Sequence, residues 1–261
     1  MKYSICSTWG RKNNRPLEDV VQIACELKLD GIEIWDEHIH DYLRRHNCTI
    51  TELKRYLDGN HLQCSGIAPY FDFLGNGGIE KNIEIAERAI EYAKQMNCNM
   101  IRTFVAWKPS KDLTKKEWKL CVDGLREITN RIKDEKIYFA LETHNNQPID
   151  TADNILYLLK EVNSNQLKVL FDGFNYIVDQ LDLMDAYKKL EEYIIHYHMK
   201  NYRWTEEEKI ALPLGEGDAD FTSIIQNLKK KSYQGFISFE YFDLTPQKLI
   251  QKSIEWIERM E

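Results

Sequence analysis

No hydrophobic run in the chain approaches ~18 residues, so no membrane-spanning helix is expected. No CxxC pair is present: Cys6, Cys25, Cys48, Cys64, Cys98 and Cys121 are scattered. That spacing argues against a thiolate metal centre and a disulfide framework, and the cysteines read as reduced thiols. The opening stretch, MKYSICSTWGRKNNRP, offers no apolar core for a secretory leader. The expectation is a cytoplasmic protein. Positive charge is not in excess either. With a net charge of −7, a broad nucleic-acid surface is not expected, because such a surface needs a basic face. No linker, low-complexity segment or close repeat interrupts the chain.

What is present is 261 residues, 43% hydrophobic and 30% charged. That composition is globular and the chain is long enough for a large core. Length alone allows one large domain or two smaller ones, and an α/β barrel is routinely a single domain at this size.

Residues 193–201, YIIHYHMKN, read as a buried strand. Alternation puts His196, His198 and Lys200 on one face and Ile195, Tyr197 and Met199 on the other. Two imidazoles and an ammonium cannot meet an apolar layer without partners, so that face should look into a polar site. Three other apolar runs carry polar residues late. Residues 137–144 end with Glu142 and His144, 167–175 with Asp172 and Asn175, and 235–242 carry Glu240. Two glutamates, an aspartate and a histidine at four strand ends form a candidate divalent-metal site.

The rest of the chain alternates strand and helix. Strands are expected at 2–9, 31–35, 61–70, 99–107, 137–144, 167–174, 193–201 and 235–242. Helices are expected at 16–28, 49–58, 79–96, 114–133, 151–162, 179–192, 221–231 and 246–260. Pro16 suits a first turn, and Thr49 or Thr51 suits a cap. Eight strand–helix units in strict alternation point to parallel strands joined by crossover helices. Eight favour closure, giving a (β/α)8 TIM barrel as one domain over 1–261. The polar excursion at 202–217 reads as a functional loop or lid.

Parity supports one shared site. Tyr138, Ala140, Glu142 and His144 fall on one face of their strand, Leu170 and Asp172 on one face of theirs, and Ser238 and Glu240 on one face of a third. Phe139, Leu141, Val169, Phe171, Ile237 and Phe239 occupy the opposite faces, as helix packing requires. Glu33 lies opposite in parity to Ile32 and Ile34 and should point inward, where Arg102 is a candidate partner. Trp9, Trp35, Tyr70 and Trp107 fall near strand ends and suit either a pocket wall or core packing. Each carboxylate taken alone fits an ion pair or a helix cap equally well.

The chain resembles the xylose-isomerase-like barrel family of sugar and sugar-phosphate isomerases and epimerases. The resemblance runs over nearly the whole chain. It is carried by Gly31-Ile32-Glu33, Ile101-Arg102, Leu141-Glu142-Thr143-His144-Asn145, Thr151-Ala152-Asp153, Phe171-Asp172, His198-Met199-Lys200-Asn201, Pro213-Leu214-Gly215-Glu216-Gly217-Asp218 and residues 237–240. The order and spacing of these motifs are more specific than any one of them.

The resemblance implies a divalent metal held by Glu142, Asp172, His198 and Glu240. Oxygen ligands with one imidazole suit Mn, Mg, Co or Zn, and ligand type does not choose among them. It also implies that Glu142 and Glu240 move protons beside a metal-polarised carbonyl. Candidate substrate contacts are His144, Asn175, Lys200 and Arg203. For Lys200 the alternative is pairing with Glu216 or Asp218, and His196 reads as a hydrogen-bonded core residue. Ketose 3-epimerases of the family carry a histidine where this chain has Asn175, which weighs against that one activity. No glycine-rich phosphate cradle stands out near the last strand ends beyond Gly215 and Gly217.

The expected function is therefore a metal-dependent sugar or sugar-phosphate isomerase or epimerase. Its partner is a small carbohydrate, with no nucleic acid and no membrane, and homo-oligomerisation is left open. The alternatives are a metal-dependent dehydratase of the same family, acting on a cyclic polyol or hydroxy acid, and a non-catalytic carbohydrate-binding barrel. A metal-dependent endonuclease of the same barrel class fits less well, since the chain is acidic and has few histidines at strand ends.

Overall fold

The computed structural model of the protein describes residues 1–205 and 208–260. Ten strands form: β1 (Lys2–Cys6), β2 (Gly31–Trp35), β3 (Gln63–Ala68), β4 (Met100–Thr103), β5 (Tyr138–Glu142), β6 (Leu167–Asp172), β7 (Ile194–Met199), β8 (Asn201–Trp204), β9 (Lys209–Leu212) and β10 (Phe236–Phe239). Eight of them close into a barrel in the order β1-β10-β7-β6-β5-β4-β3-β2. The register is parallel wherever it is described, for example Ser238 beside His198 and Arg102 beside Ala140. The expected eight-stranded α/β barrel is therefore the observed one.

Helices separate the strands, and local chemistry sets their ends. Thr49 and Thr114 each open a helix with a capping box, closed by Glu52 and Glu117. Pro16 caps Leu17–Glu26, where a missing N–H costs nothing. Helices Asp36–His46, Gly78–Met96 and Ala152–Val162 all stop at an asparagine in the left-handed conformation: Asn47, Asn97 and Asn163. Asparagine tolerates that conformation better than most residues, because its short polar side chain bonds locally.

Contacts divide the chain into two compact units, Met1–Cys64 with Tyr197–Glu261, and Ser65–His196. In the second unit Met100, Ala140 and Leu170 form a buried apolar layer with Ile195 packed against it. Alternation had placed Ile195 with Tyr197 on the other face. It enters the sheet directly from the 3-10 turn Glu191–Tyr193, at the rim, where strand alternation is not yet enforced. On the outer face Phe139 meets Phe71 edge-on, with centroids 6.0 Å apart. Gly124 lets the helix Lys115–Asn130 approach Phe73, since a Cβ there would fall 2.3 Å from the ring. In the first unit Tyr197 packs outward against Tyr233.

Several expected elements differ in detail. The strand over 2–9 ends at Cys6, and Trp9 sits in a short helix, Thr8–Lys12. Helix Asp36–His46 was not expected, because its polar composition hides a narrow apolar stripe of Ile39 and Tyr42. The helix expected over 179–192 is shorter, Leu183–Leu190, capped by Asp182, which accepts from Met184 and Asp185, and a separate short helix, Phe174–Val178, precedes it. The excursion at 202–217 carries most of an antiparallel pair, β8 with β9, and residues 206–207 lie outside the described residues. Among the described residues, no helix is long and apolar enough to cross a membrane.

On the surface of the first unit, Glu18 accepts from both Arg45 nitrogens, at 2.8 and 2.7 Å, and lies 2.6 Å from His46 Nε2. Burial raises its pKa, but the Arg45 and His46 hydrogen bonds outweigh this and hold the carboxyl at about 2. An unfolded glutamate titrates near ~4.3, so the unfolded chain takes up the proton first. The stabilisation is full above that value and is lost as pH falls toward 2. Urea unfolding between pH 7 and 3 should therefore show a shallower acid loss of stability in Glu18→Gln than in wild type. Parallel curves would rule out this contribution.

Candidate active site

In each unit, ionisable side chains gather at the C-terminal ends of the strands, and each finds a partner of opposite charge or a donor. In the first unit Glu33 on β2 and His198 on β7 are fully buried, with His198 Nε2 2.8 Å from Glu33 Oε2. This bond fixes one ring nitrogen, and Nδ1 lies 3.7 Å from Glu240 Oε2. A histidine held this way on one nitrogen by a carboxylate is oriented to offer the other to a metal. Glu240, just past β10, also takes a 2.5 Å bond from Lys200 Nζ and a 3.1 Å bond from Thr8 Oγ1. Lys200 is itself 7% exposed, so this ammonium–carboxylate pair is largely screened from solvent.

Below them lies Cys6, whose Sγ is 3.8 Å from Glu33 Oε1. Burial, then the charge of Glu33, pushes this thiol up to about 11. Ser4 and Ser238 share a 2.6 Å hydrogen bond on the facing positions of β1 and β10.

In the second unit Arg102 on β4 and Glu142 at the end of β5 form a buried ion pair, Nη1 to Oε2 3.1 Å, with both side chains 2% exposed. The guanidinium also lies over the rings of Tyr70 and Phe104, 4.9 and 4.8 Å from their centroids. Within its own unit Arg102 pairs with Glu142, as Glu33 pairs with His198 in the other. Asp172 is placed by its neighbours. Thr143 Oγ1 donates to the Asp172 carbonyl at 2.9 Å and accepts from its amide at 2.8 Å, and Asp172 Oδ1 accepts from the Phe174 amide at 3.2 Å. Burial, then the charges of Asp150, Asp172 and Asp153, pushes the nearby Tyr176 hydroxyl far above its usual range.

The remaining expected site residues divide. His144 is half-buried, its Nδ1 2.8 Å from the Asn145 carbonyl and its ring edge-on to Phe104. Asn175 is half-buried and donates to the Thr143 carbonyl at 2.9 Å, which leaves its amide oxygen for another donor. Lys200 pairs with Glu240, so the expected alternative partners Glu216 and Asp218 are not those that hold it closest. Arg203 takes them instead: its guanidinium bonds the Glu216 carbonyl and lies 3.7 Å from Asp218. Arg203 is exposed on the hairpin, and those contacts tie it to the 214–219 loop. His196 is buried, as a core residue should be. Tyr70, Phe104 and Trp107 form an aromatic cluster, and Trp107 remains 55% exposed.

Three supports went unread in the sequence. Thr8 contacts Glu240 from a turn after β1, Thr143 pins Asp172, and Asn201 organises the 214–219 loop. Asn201 donates to the Leu214 and Ala219 carbonyls at 2.7 and 2.8 Å and accepts from the Ala219 amide at 3.1 Å. Gly217 is required there, because a Cβ would fall 2.2 Å from Asn201 Oδ1. The one available signal was position, since Thr143 and Asn201 directly follow strands that carry ionisable residues.

A closed parallel barrel whose strand ends carry buried carboxylates, imidazole and ammonium defines a barrel enzyme, with its chemistry at the C-terminal face. The family described as xylose isomerase-like TIM barrel matches residues 21–260, and the chain belongs to it. A 3-dehydroshikimate dehydratase of Bacillus anthracis is 30% identical over 98% of this chain and 96% of its own length. The crystal structure of the probable 3-DHS dehydratase AsbF of Bacillus anthracis superposes with a TM-score of 0.88 at 28% identity, covering 100% of both chains. The IOLI protein with a bound zinc atom superposes at 0.80 with 19% identity, covering 100% of this chain and 99% of its own. Sugar epimerases share the fold.

Removing the cation from the Arg102–Glu142 pair leaves a charge in a site with little water, a loss of about 3–5 kcal/mol for such pairs. Arg102→Met should therefore lower the unfolding free energy by that order in denaturant titrations at pH 7. A loss below ~1 kcal/mol would show that Glu142 does not depend on Arg102.

Proposed function

We propose that the protein is a metal-dependent dehydratase that removes water from a cyclic hydroxy-ketone bearing a carboxylate. The observation that carries this reading is the full-length likeness to a 3-dehydroshikimate dehydratase. It favours the lyase over the isomerase that the family motifs first suggested. Asn175 points the same way, since it stands where ketose 3-epimerases of the family carry histidine.

Glu142, Asp172, His198 and Glu240 are the ligands we assign to a divalent metal. The donor set fits such an ion. Three carboxylates and one imidazole, all buried, are hard oxygen and nitrogen donors. His198 is already held on Nε2 by Glu33. When bound, the ion supplies Lewis acidity for the negative charge that develops on the substrate carbonyl oxygen.

Elimination needs a proton removed beside the carbonyl and a proton delivered to the departing hydroxyl. We assign these transfers to the pair Glu142 and Glu240. Lys200, bonded to Glu240, keeps an ammonium beside that carboxylate, where it holds Glu240 in position and offers a donor to a substrate oxygen. Arg102 balances the charge of Glu142 and fixes its direction. His144 and Asn175 are assigned to substrate hydroxyl and carbonyl groups. The ring faces of Tyr70 and Phe104 supply an apolar wall in their own unit, suited to a flat ring.

The assay is loss of water from 3-dehydroshikimate with Mn, Mg, Co or Zn resupplied, read as the absorbance of the aromatic ring that elimination creates. Wild type should turn over. Glu142→Gln and Glu240→Gln should each lose about 10²–10⁴ in kcat, the usual range for a positioned acid or base. Exchange of ketose protons with solvent, with no water lost from any cyclic hydroxy-ketone, would return the reading to an isomerase.

A further inference from the structure

A recess of about 640 Å³ lies on the helices of the 65–196 unit, lined by Ser110, Lys111, Lys115, Trp118, Asn154 and Tyr157. None of these six residues has a part in the chemistry proposed above. The polar end is tied together by one carboxylate. Asp150 Oδ2 accepts from the Ser110 amide at 3.1 Å, and Asp150 Oδ1 accepts from Asn154 Nδ2 at 3.0 Å. Both Asp150 oxygens are thereby used within the wall. Glu117 is engaged as well, by Lys108 at 2.8 Å and by the Thr114 amide and hydroxyl. Lys111 and Lys115 have no ion pair among the described residues.

Two further features add positive potential. Lys115 opens the helix Lys115–Asn130, and Asn154 lies in the first turn of Ala152–Val162. The positive ends of both helices therefore border the same recess. Part of the lining is aromatic. Trp118 and Tyr157 meet edge to face, with centroids 5.4 Å apart and planes at 86°, and Tyr157 is 43% exposed. Cations and ring surfaces in one lining match a ligand with an anionic head and a flat apolar body.

We propose that this recess binds a small ring compound carrying one anionic group, a carboxylate or a phosphate, apart from the reaction site. Lys111 and Lys115 hold the anion, and Trp118 and Tyr157 cover the ring. The proposal stands independently of the dehydratase reading.

The test titrates the full chain with benzoate and with phenyl phosphate by calorimetry and tryptophan fluorescence, with benzamide as the neutral control. Wild type should bind at least one of the two anions with a Kd below ~1 mM, and should bind benzamide more weakly. Preference for benzoate assigns a carboxylate, and preference for phenyl phosphate assigns a phosphate. The double variant Lys111→Ala/Lys115→Ala, with folding checked by circular dichroism, should bind at least about tenfold more weakly, as expected on losing charged hydrogen bonds. Glu142→Gln/Glu240→Gln should bind as wild type does, which separates this recess from the reaction site. Three results would overturn the proposal: no binding of either anion by wild type, unchanged binding in the lysine variant, or loss of binding in the glutamate variant.

Discussion

A carboxylate taken out of water costs several kcal/mol unless opposite charge or donors meet it. Glu33, Glu142, Asp172 and Glu240 are all buried at strand ends, and this constraint explains most of what surrounds them. Arg102 meets Glu142, His198 meets Glu33, Lys200 and Thr8 meet Glu240, and backbone amides meet Asp172. The apolar framework beneath supplies rigidity. Met100, Ala140 and Leu170 form a layer in one unit, and the outer faces pack against helices. The polar ends thus stand on strands whose lower halves are fixed by packing, so their directions are set before any ligand arrives.

Much of this was legible in the sequence because two signals are strong. Strict strand–helix alternation gave the barrel, and two-residue parity gave the inward direction of Glu33, Glu142, Asp172, His198 and Glu240. Parity does not report partners, and it did not foretell that the Arg102 guanidinium lies against Glu142. Nor does it report what happens after a strand ends. Thr8 and Asn201 act through turns that depend on tertiary contacts. The hairpin β8–β9 was read as irregular because its polar side chains hide the alternation. Capping signals were better guides: Thr49 and Thr114 stand where the helices begin.

The functional reading rests on a different kind of legibility. Motifs in this family report the shared step, proton removal beside a carbonyl, and so do not separate isomerases from dehydratases. Whether a hydroxyl then leaves depends on the substrate and on donors near its far side. Lys200, bonded to Glu240, is the donor we propose for that step. The full-length likeness to a dehydratase adds what the motifs lack.

The central claim is that Glu142, Asp172, His198 and Glu240 bind one divalent ion. The most direct measurement is metal content of the purified chain after resupply with Mn, Mg, Co and Zn, beside Asp172→Asn and His198→Gln. The account predicts one ion per chain in wild type and a loss of affinity of at least about tenfold in each variant, the scale seen when a metal site loses even an outer partner. Wild type that takes up no ion under any of the four conditions, or variants that bind as wild type does, would contradict it.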